Sequence, residues 1–272
     1  MNPLWIRQIR SVLALELRKN LLSARALPVY FLAILPVGLL GLFAFITLLW
    51  DSDDRPNLNE TSLIFAGIYQ FILRGMLYMA CVWTFMNLFR GEILDRSLHY
   101  YFLAPIRREV LVAGKFVSGF ASTAILFSLS TIVSMGLMYS VQEPGEAAGN
   151  LLGGAGLGQM IAYVGVTLLA CLGYGAVFLF VGLFFRNPII PAAIIFIWEA
   201  INPFLPALLK KISVIFYLTS LLPVDLPGPV YEIIAEPVPA WLAIPGFFLF
   251  TAAMLTVSSL RIRGMEISYS SE

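Results

Sequence analysis

The sequence predicts an all-α membrane protein, with six transmembrane helices and an N-terminal interfacial amphipathic helix. Of its 272 residues, 60% are apolar and only 12% are charged, whereas a soluble domain carries about 25% charged residues. The apolar residues concentrate in long runs, and about 20 such residues are enough for a helix to cross the hydrocarbon core of a bilayer. The 17 basic and 16 acidic side chains nearly balance, so no nucleic acid is expected as a partner.

The first 27 residues are predicted to form the interfacial helix. From Trp5 to Leu17, apolar residues recur at helical spacing while arginines occupy the opposite face. This pattern is typical of a helix that lies at a membrane surface near anionic lipid headgroups. Glu16 falls on the apolar face, so we expect it to pair with a basic side chain of another element. Beyond Leu17, a simple extension of the first span is an equally good interpretation.

Six apolar segments after this helix are predicted to span the membrane, within a single transmembrane domain over residues 1–272. They cover residues 28–50, 62–89, 116–139, 160–185, 188–209 and 241–260. The second exceeds the thickness of the hydrocarbon core and is expected to tilt or protrude. The fifth is broken by prolines. The apolar residues 212–222 are too few to cross, so they are expected to form a re-entrant or interfacial piece.

The distribution of basic residues predicts the orientation of these spans. With six crossings, 13 of the 17 lysines and arginines lie on the side of both termini. Because basic residues favour the cytoplasmic side of a membrane, we expect both termini in the cytoplasm. A seventh crossing would move Arg261 and Arg263 to the outside and fits this distribution less well.

No arrangement of catalytic residues is found in the sequence, so the chain is not expected to be an enzyme. His99 is the only histidine and falls in a predicted cytoplasmic loop, which argues against an intramembrane protease and a histidine-rich metal site. The glycine-rich residues 153–158 precede a span on the outer side and are interpreted as a flexible linker. Gly114-Lys115 lacks the first glycine and the Ser or Thr of a phosphate-binding loop. We therefore expect no metal or cofactor in this chain.

The predicted cytoplasmic loop over residues 90–115 is too polar to span the membrane, yet it contains three consecutive aromatic residues. Exposed aromatics surrounded by charges are typical of a protein-binding surface, and a loop packed on its own helices is the alternative. Pro105 is expected to end one short helix before another begins at Arg107 and Arg108. The candidate contact residues are Glu92, Asp95, Arg96, Ser97, Tyr100, Tyr101, Phe102, Pro105, Arg107 and Arg108.

This loop resembles the one between the second and third helices of ABC transporter permeases of the type-2 export class. Members of one branch carry a Glu, an Asp-Arg-Thr-like triplet, an apolar-aromatic turn, a Pro, a basic residue and a Gly-Lys. The matching residues are Glu92, Asp95-Arg96-Ser97, Tyr100 to Leu103, Pro105, Arg107-Arg108 and Gly114-Lys115. Ser97 replaces the usual Thr, and Leu94 stands where a second acid often occurs. The rest of the chain agrees with this class only in its general arrangement, which is an interfacial N-terminal helix, six spans and a proline-rich outer segment before the last span.

The resemblance implies a permease subunit that works as a homodimer or a related heterodimer in the cytoplasmic membrane of a bacterium. It implies that the loop supplies a coupling helix to a separate ATP-binding subunit, and that ATP and magnesium bind to that partner. Closure of the ATP-binding subunits then shifts the membrane dimer between inward-open and outward-open states.

Two charges lie inside predicted spans, Arg74 in the second and Glu199 near the middle of the fifth. A charge at the centre of a membrane helix costs about 2.5–3.5 kcal/mol on insertion scales, so it normally faces protein or a wet cavity. One interpretation is an Arg74–Glu199 ion pair that joins two helices. The other is a translocation path lined by Gln70, Arg74, Glu199 and Asn202. For the whole chain, the alternatives are a stand-alone secondary transporter that uses Arg74 and Glu199, and a membrane scaffold without transport.

Overall fold

The computed structural model describes residues 3–49, 55–94, 108–142, 145, 147–153, 155–185, 187, 189–224, 226 and 238–264. Side chains are described in these ranges except at residues 3–9, 12, 90–94 and 207. Within the described ranges every regular element is a helix. The all-α class predicted from the sequence is therefore confirmed.

The described helices are given in chain order. The first are α1 (Pro3–Leu22), α2 (Leu27–Leu49), α3 (Leu58–Phe71), α4 (Tyr78–Leu94) and α5 (Arg108–Tyr139). The others are α6 (Ala147–Leu152), α7 (Ala155–Phe184), α8 (Ile189–Ile201), α9 (Ala207–Lys210), α10 (Val214–Thr219) and α11 (Ala240–Arg263). Short 3-10 turns cover Ala24–Ala26 and Asn202–Phe204, and a π-helical segment, Ile72–Leu77, continues α3 into α4 without a break.

Five helical segments among the described residues are long and apolar enough to cross a membrane. They are Ala24–Leu49, Leu58–Phe89, Arg108–Tyr139, Ala155–Phe184 and Ala240–Arg263. This agrees with an integral, multi-pass membrane protein. The helix that contains the predicted third span, residues 116–139, begins at Arg108, and the apolar side chains of Val110, Leu111 and Val112 in its first turns are buried.

The predicted fifth span is shorter in the structure than residues 188–209. The apolar helical stretch there covers Ile189–Phe204, which at about 1.5 Å per residue is shorter than a hydrocarbon core of roughly 30 Å. α8 itself ends at Ile201, where Asn202 and Pro203 begin a 3-10 turn, since proline lacks the N–H that a continuing α-helix needs. Glu199 therefore lies in the last turn of α8, and its depth within a sixth crossing stays a prediction.

Residues 212–222 contain α10, which has only six residues. Val214, Ile215 and Leu218 are buried, and the helix contacts α7 and α11. A helix of this length is far too short to cross a bilayer. That this segment is a re-entrant or interfacial piece stays a prediction.

The centre of the bundle is α7, which contacts α4, α5 and α11. Glycines allow α4 and α7 to approach closely, as small residues do in many membrane bundles. A Cβ added at Gly175 would lie 2.5 Å from Phe85 Cζ, and one at Gly182 would lie 3.1 Å from Met86 Cα. α4 and α7 therefore form a tightly packed centre. Lys115 bonds to α4 of this centre through Leu88, and Glu199 bonds to α7 through Tyr174.

α1 packs against the first half of α5. One direct link is a hydrogen bond of 3.1 Å from Asn20 Nδ2 to Ser118 Oγ. Leu15 and Leu22 on the same helix are more than half exposed. α1 is thus attached to the bundle along one side, and its position at the membrane surface stays a prediction.

Candidate functional site

The first two turns of α5 bring three helices together around Lys115. Its ammonium group donates to Glu16 Oε1 at 2.9 Å and to the backbone oxygen of Leu88 at 3.0 Å. Both charged side chains are almost completely buried, with 0% of Lys115 and 1% of Glu16 exposed. The expectation that Glu16 pairs with a basic side chain is confirmed. The pair joins α1 to α5, and the bond to Leu88 adds α4.

The burial of this pair makes each charge depend on the other. An unpaired charge in an apolar interior loses its hydration, and breaking a buried pair by removing one partner typically costs about 3–5 kcal/mol. The ring of Phe89, whose centroid is 5.4 Å from Lys115 Nζ, gives the ammonium a second favourable contact. Lys115 was predicted at the end of the cytoplasmic loop, and the structure instead places it inside the helical core.

The start of α5 is also attached to the end of α11. Arg108 Nη1 donates to the backbone oxygens of Ile262 at 3.2 Å and Arg263 at 2.9 Å. The last carbonyls of a helix have no partner within the helix, so a guanidinium group at this point caps the C-terminus of α11. Glu109 adds an ion pair with Arg263. We call Arg108, Glu109 and Lys115 together the α5 base.

The other predicted loop residues are not described. The residues outside the described ranges are Asp95, Arg96, Ser97, Tyr100, Tyr101, Phe102, Pro105 and Arg107. Glu92 lies in α4, but its side chain is also outside the described part. α5 begins at Arg108, where the sequence predicted a helix start. The role of the loop as a docking element stays a prediction.

The second charged site is built around the carboxylate of Glu199, which is buried. Its oxygens accept hydrogen bonds from the backbone N–H groups of Val214 at 3.0 Å and Ile215 at 2.9 Å. They also accept from the hydroxyl groups of Ser213 at 2.8 Å and Tyr174 at 3.3 Å. Glu199 thus satisfies the free N–H groups at the start of α10 and fastens α8 to α7 and α10.

The Arg74–Glu199 ion pair, one of the two interpretations left open from the sequence, is not formed. Arg74 lies half-buried in the π-helical segment, and no described residue makes an ion pair or hydrogen bond with it. The reason is that Ser213, Tyr174 and the start of α10 already surround the Glu199 carboxylate. π-helical turns in α-helices are frequent at functional sites, and this one contains the charged residue Arg74.

The four predicted path residues are only partly brought together. Asn202 is buried directly after Glu199, and its Nδ2 donates to the backbone oxygen of Lys210 at 3.2 Å. Gln70 is half-buried one turn before Arg74. Within the described part of the chain, no hydrogen bond connects Gln70 or Arg74 to Glu199 or Asn202.

A cavity of about 530 Å³ lies beside Glu199. Helices α7, α8 and α11 and the residues around the start of α10 form its wall, and among the described residues that line it Glu199 is the one charged side chain. The apolar lining residues include Phe180, Ile195, Trp198 and Met254. This volume falls within the range of small-molecule sites in proteins. The cavity is suited to an apolar molecule or to the apolar part of an amphiphile.

We expect Lys115→Met alone to destabilise the detergent-purified protein by about 3–5 kcal/mol, because it leaves the Glu16 carboxylate buried without a counter-charge. Glu16→Leu combined with Lys115→Met should recover most of this loss, since an apolar pair replaces the ion pair. Thermal unfolding measures both effects. Arg18→Met, an exposed neighbour on α1, serves as the control and should change little. A double variant as unstable as the single ones would contradict the pairing.

For Arg74 and Glu199 we expect independent effects on stability. Glu199→Gln should destabilise the protein by about 1–3 kcal/mol because it disturbs the buried hydrogen bonds to α10, whereas Arg74→Met should leave the melting temperature nearly unchanged. A double-mutant cycle on thermal unfolding should give a coupling energy below about 0.5 kcal/mol. A coupling energy above about 1 kcal/mol would show that the two charges interact directly after all.

Comparison with known proteins adds no family to this description. No model of a known protein family matches the chain, and no characterised protein matches its sequence. The functional assignment therefore depends on the residues themselves: the loop before α5, the α5 base, and the charged and apolar groups around Glu199.

Proposed function

We propose that the chain is the membrane-spanning permease subunit of an ATP-driven exporter. In this proposal a separate ATP-binding subunit hydrolyses ATP and docks on the loop between α4 and α5. The observation that carries the proposal is the pattern of the loop, with its acidic, aromatic, proline and basic residues, directly before a helix start that is bonded to three other helices. ATP and magnesium belong to the partner, and two copies of the chain or of a close relative form the membrane unit.

The contacts of the α5 base support a mechanical role for the loop. Lys115 fastens α5 to α1 and α4, and Arg108 and Glu109 fasten it to α11. In this proposal, a docked ATPase that displaces the loop also displaces parts of the four helices that meet at the α5 base. Lys115 and Glu16 are buried, and a buried ion pair is costly to break, so in this proposal α1, α4 and α5 move together. This is the property that coupling of ATP hydrolysis to a membrane rearrangement requires.

We further propose six crossings with both termini in the cytoplasm. In support, the Arg108 contacts place the end of α11 beside the start of α5, and the guanidinium carbon of Arg261 lies 5.3 Å from the ring centroid of Phe184 at the end of α7. If α7 and α11 end at the same side of the bundle, the chain between them must return to the opposite side. α8 and the residues after it are the segment available for this sixth crossing.

The translocation path is proposed to pass the polar groups of Gln70, Arg74, Glu199 and Asn202. The apolar cavity beside Glu199 supports a cargo with an apolar part. The hydrogen bonds of Glu199 favour the exporter over a secondary transporter that uses this carboxylate, because the structural bonds to α10 already occupy its oxygens. An exporter moves a cargo in a step that depends on ATP, whereas a scaffold moves no cargo.

The loop is tested by replacing Tyr101 and Phe102 with Ala and purifying the tagged chain from its native membranes. We expect the wild-type chain to retain an ATP-binding subunit with a phosphate-binding loop, detected by mass spectrometry and ATPase activity. The variant should lose it, since truncating buried aromatic anchors often costs about 2 kcal/mol or more. As a matched control, Phe204→Ala with Trp241→Ala removes two exposed aromatics elsewhere and should retain the partner. Equal retention by both variants would refute the docking role.

The topology is tested with single cysteines in a variant lacking Cys81 and Cys171, which are both buried. Cysteines at Ser52 and Ser140 should react with an impermeant thiol reagent in intact cells. Those at Ser97 and Ser270 should react only after permeabilisation, because the basic residues near them favour the cytoplasm. Five crossings would instead make Ser270 reactive in intact cells while Ser97 stays protected, and that result would overturn the six-crossing arrangement.

A further inference from the structure

The cavity beside Glu199 is elongated along the bundle. Its wall on α7 extends from Val177 to Phe185, a length of about 12 Å from the rise of an α-helix. Val177 follows Tyr174, whose hydroxyl bonds to Glu199, by less than one helical turn, so Glu199 lies at that end. Phe185 lies at the opposite end, directly after α7. A space of about 530 Å³ with this length accommodates one hydrocarbon chain.

The wall of the cavity offers a ligand no free charge. Among the described residues that line it, Glu199 carries the one charge. Its carboxylate already accepts hydrogen bonds from Ser213, Tyr174 and the start of α10. The other described lining residues are aliphatic or aromatic. A charged group placed here would lose its hydration without gaining a partner, so the part of a ligand that lies inside the cavity is hydrocarbon.

The cavity opens at the side of the bundle. Three of its lining residues are well exposed: Ile194 by 62%, Ile212 by 56% and Phe185 by 48%. α7 and α11, which form two of the walls, are long and apolar enough to cross a membrane. In the proposed arrangement the opening therefore faces the bilayer, and a ligand enters the cavity from the lipid phase.

A cation lies beyond the Phe185 end of the cavity. Phe180 lines the cavity, and its ring centroid lies 4.4 Å from that of Phe184, over which Arg261 is placed at 5.3 Å. On α11, Arg261 follows the lining residue Met254 by two turns and lies on the same face. Its side chain is exposed, and no described residue forms an ion pair with it.

We propose that the cavity binds the chain of an anionic amphiphile of the fatty-acid class, with the acidic headgroup at Arg261. The chain runs from Arg261 along Phe184 and Phe180 and ends near Glu199. A phospholipid would leave its second chain outside a space that accommodates one. The inference deepens the proposed function and rests on it in one respect, that the bound amphiphile is the class of cargo. Binding itself requires neither ATP nor a partner subunit.

Binding is tested with the full chain in phosphatidylcholine nanodiscs, without an ATP-binding subunit and at a pH at which fatty acids are ionised. A palmitate analogue with a diazirine at the end of its chain is activated by light, and crosslinked residues are identified by mass spectrometry. We expect crosslinks at the Glu199 end of the cavity, around Val177 and Val214. Crosslinks spread equally over the exposed residues of α2, such as Phe31 and Phe45, would indicate contact with bulk lipid and overturn the site.

Two matched variants on α8 test the cavity itself. Ile194 lines the cavity and is 62% exposed, whereas Ile197 lies outside the lining and is 59% exposed. Ile194→Trp should remove most of the crosslinking, because the larger ring occupies the opening, and Ile197→Trp should leave it unchanged. Since both positions are exposed, both variants should keep the melting temperature of the parent chain. Equal crosslinking in the two variants would contradict binding in the cavity.

The place of the headgroup is tested by competition. Palmitate should displace the analogue at about fivefold lower concentration than hexadecanol, which has the same chain and no charge. Arg261→Gln should abolish this preference, and Arg10→Gln, which removes an exposed arginine of α1 outside the cavity, should retain it. A preference that survives Arg261→Gln would overturn the headgroup position. Phosphatidylglycerol that competes as well as palmitate would overturn the assignment to a single-chain acid.

Two further results separate the ligand from its export. A chain that binds palmitate but retains no ATP-binding subunit on purification from native membranes would keep the site and refute the exporter. A chain that retains the subunit but binds no palmitate would refute this cargo class and leave the exporter in place. Where both bind, ATP added to the complex should reduce the crosslinking, and crosslinking that ATP leaves unchanged would refute the role of the amphiphile as cargo.

Discussion

Buried charge is the constraint on which this bundle depends. An ammonium group without water needs a counter-charge and further acceptors, because its hydration is lost. Lys115 meets this need with Glu16 from α1 and the Leu88 carbonyl from α4. Three helices separated along the chain must therefore meet at one point and in one register. An apolar contact at the same place would allow them to slide, since apolar packing has no preferred direction.

Glu199 obeys the same constraint with different partners. Its carboxylate takes the N–H groups at the start of α10 and two hydroxyl groups in place of a basic side chain. A short helix enclosed among membrane-length helices would otherwise leave its first N–H groups without acceptors, which is costly in apolar surroundings. The carboxylate of Glu199 thus accepts the hydrogen bonds that the start of α10 donates, and α10 supplies the donors that the buried carboxylate requires. Both Glu199 and Val214 line the neighbouring cavity.

Long apolar runs were sufficient to predict the helical class and the approximate position of the five membrane-length segments. The start of α5 at Arg108 was also predictable, because Pro105 and the basic residues after it signal a helix start, but the burial of Lys115 was not. Glu16 was correctly expected to have a basic partner, but the identity of Lys115 depends on how α1 packs against α5, and no local pattern encodes that. For Glu199, Ser213 before an apolar run is a helix-start signal. The acceptor for that start comes from α8, which the sequence did not indicate, and the Arg74–Glu199 pair was one of two interpretations left open for these charges.

The π-helical segment Ile72–Leu77 has a consequence for motion within the membrane. A π turn holds one residue more than an α turn, and each residue of an α-helix turns the chain by about 100°. If the π turn moves by some residues along the helix, the turns that it passes rotate about the helix axis. Their backbone hydrogen bonds stay within the helix, as a lipid environment demands. Arg74 lies on this turn, so the side to which it points is set by where the extra residue resides. The place of the π turn in the second membrane-length segment therefore determines the helix face on which Arg74 lies.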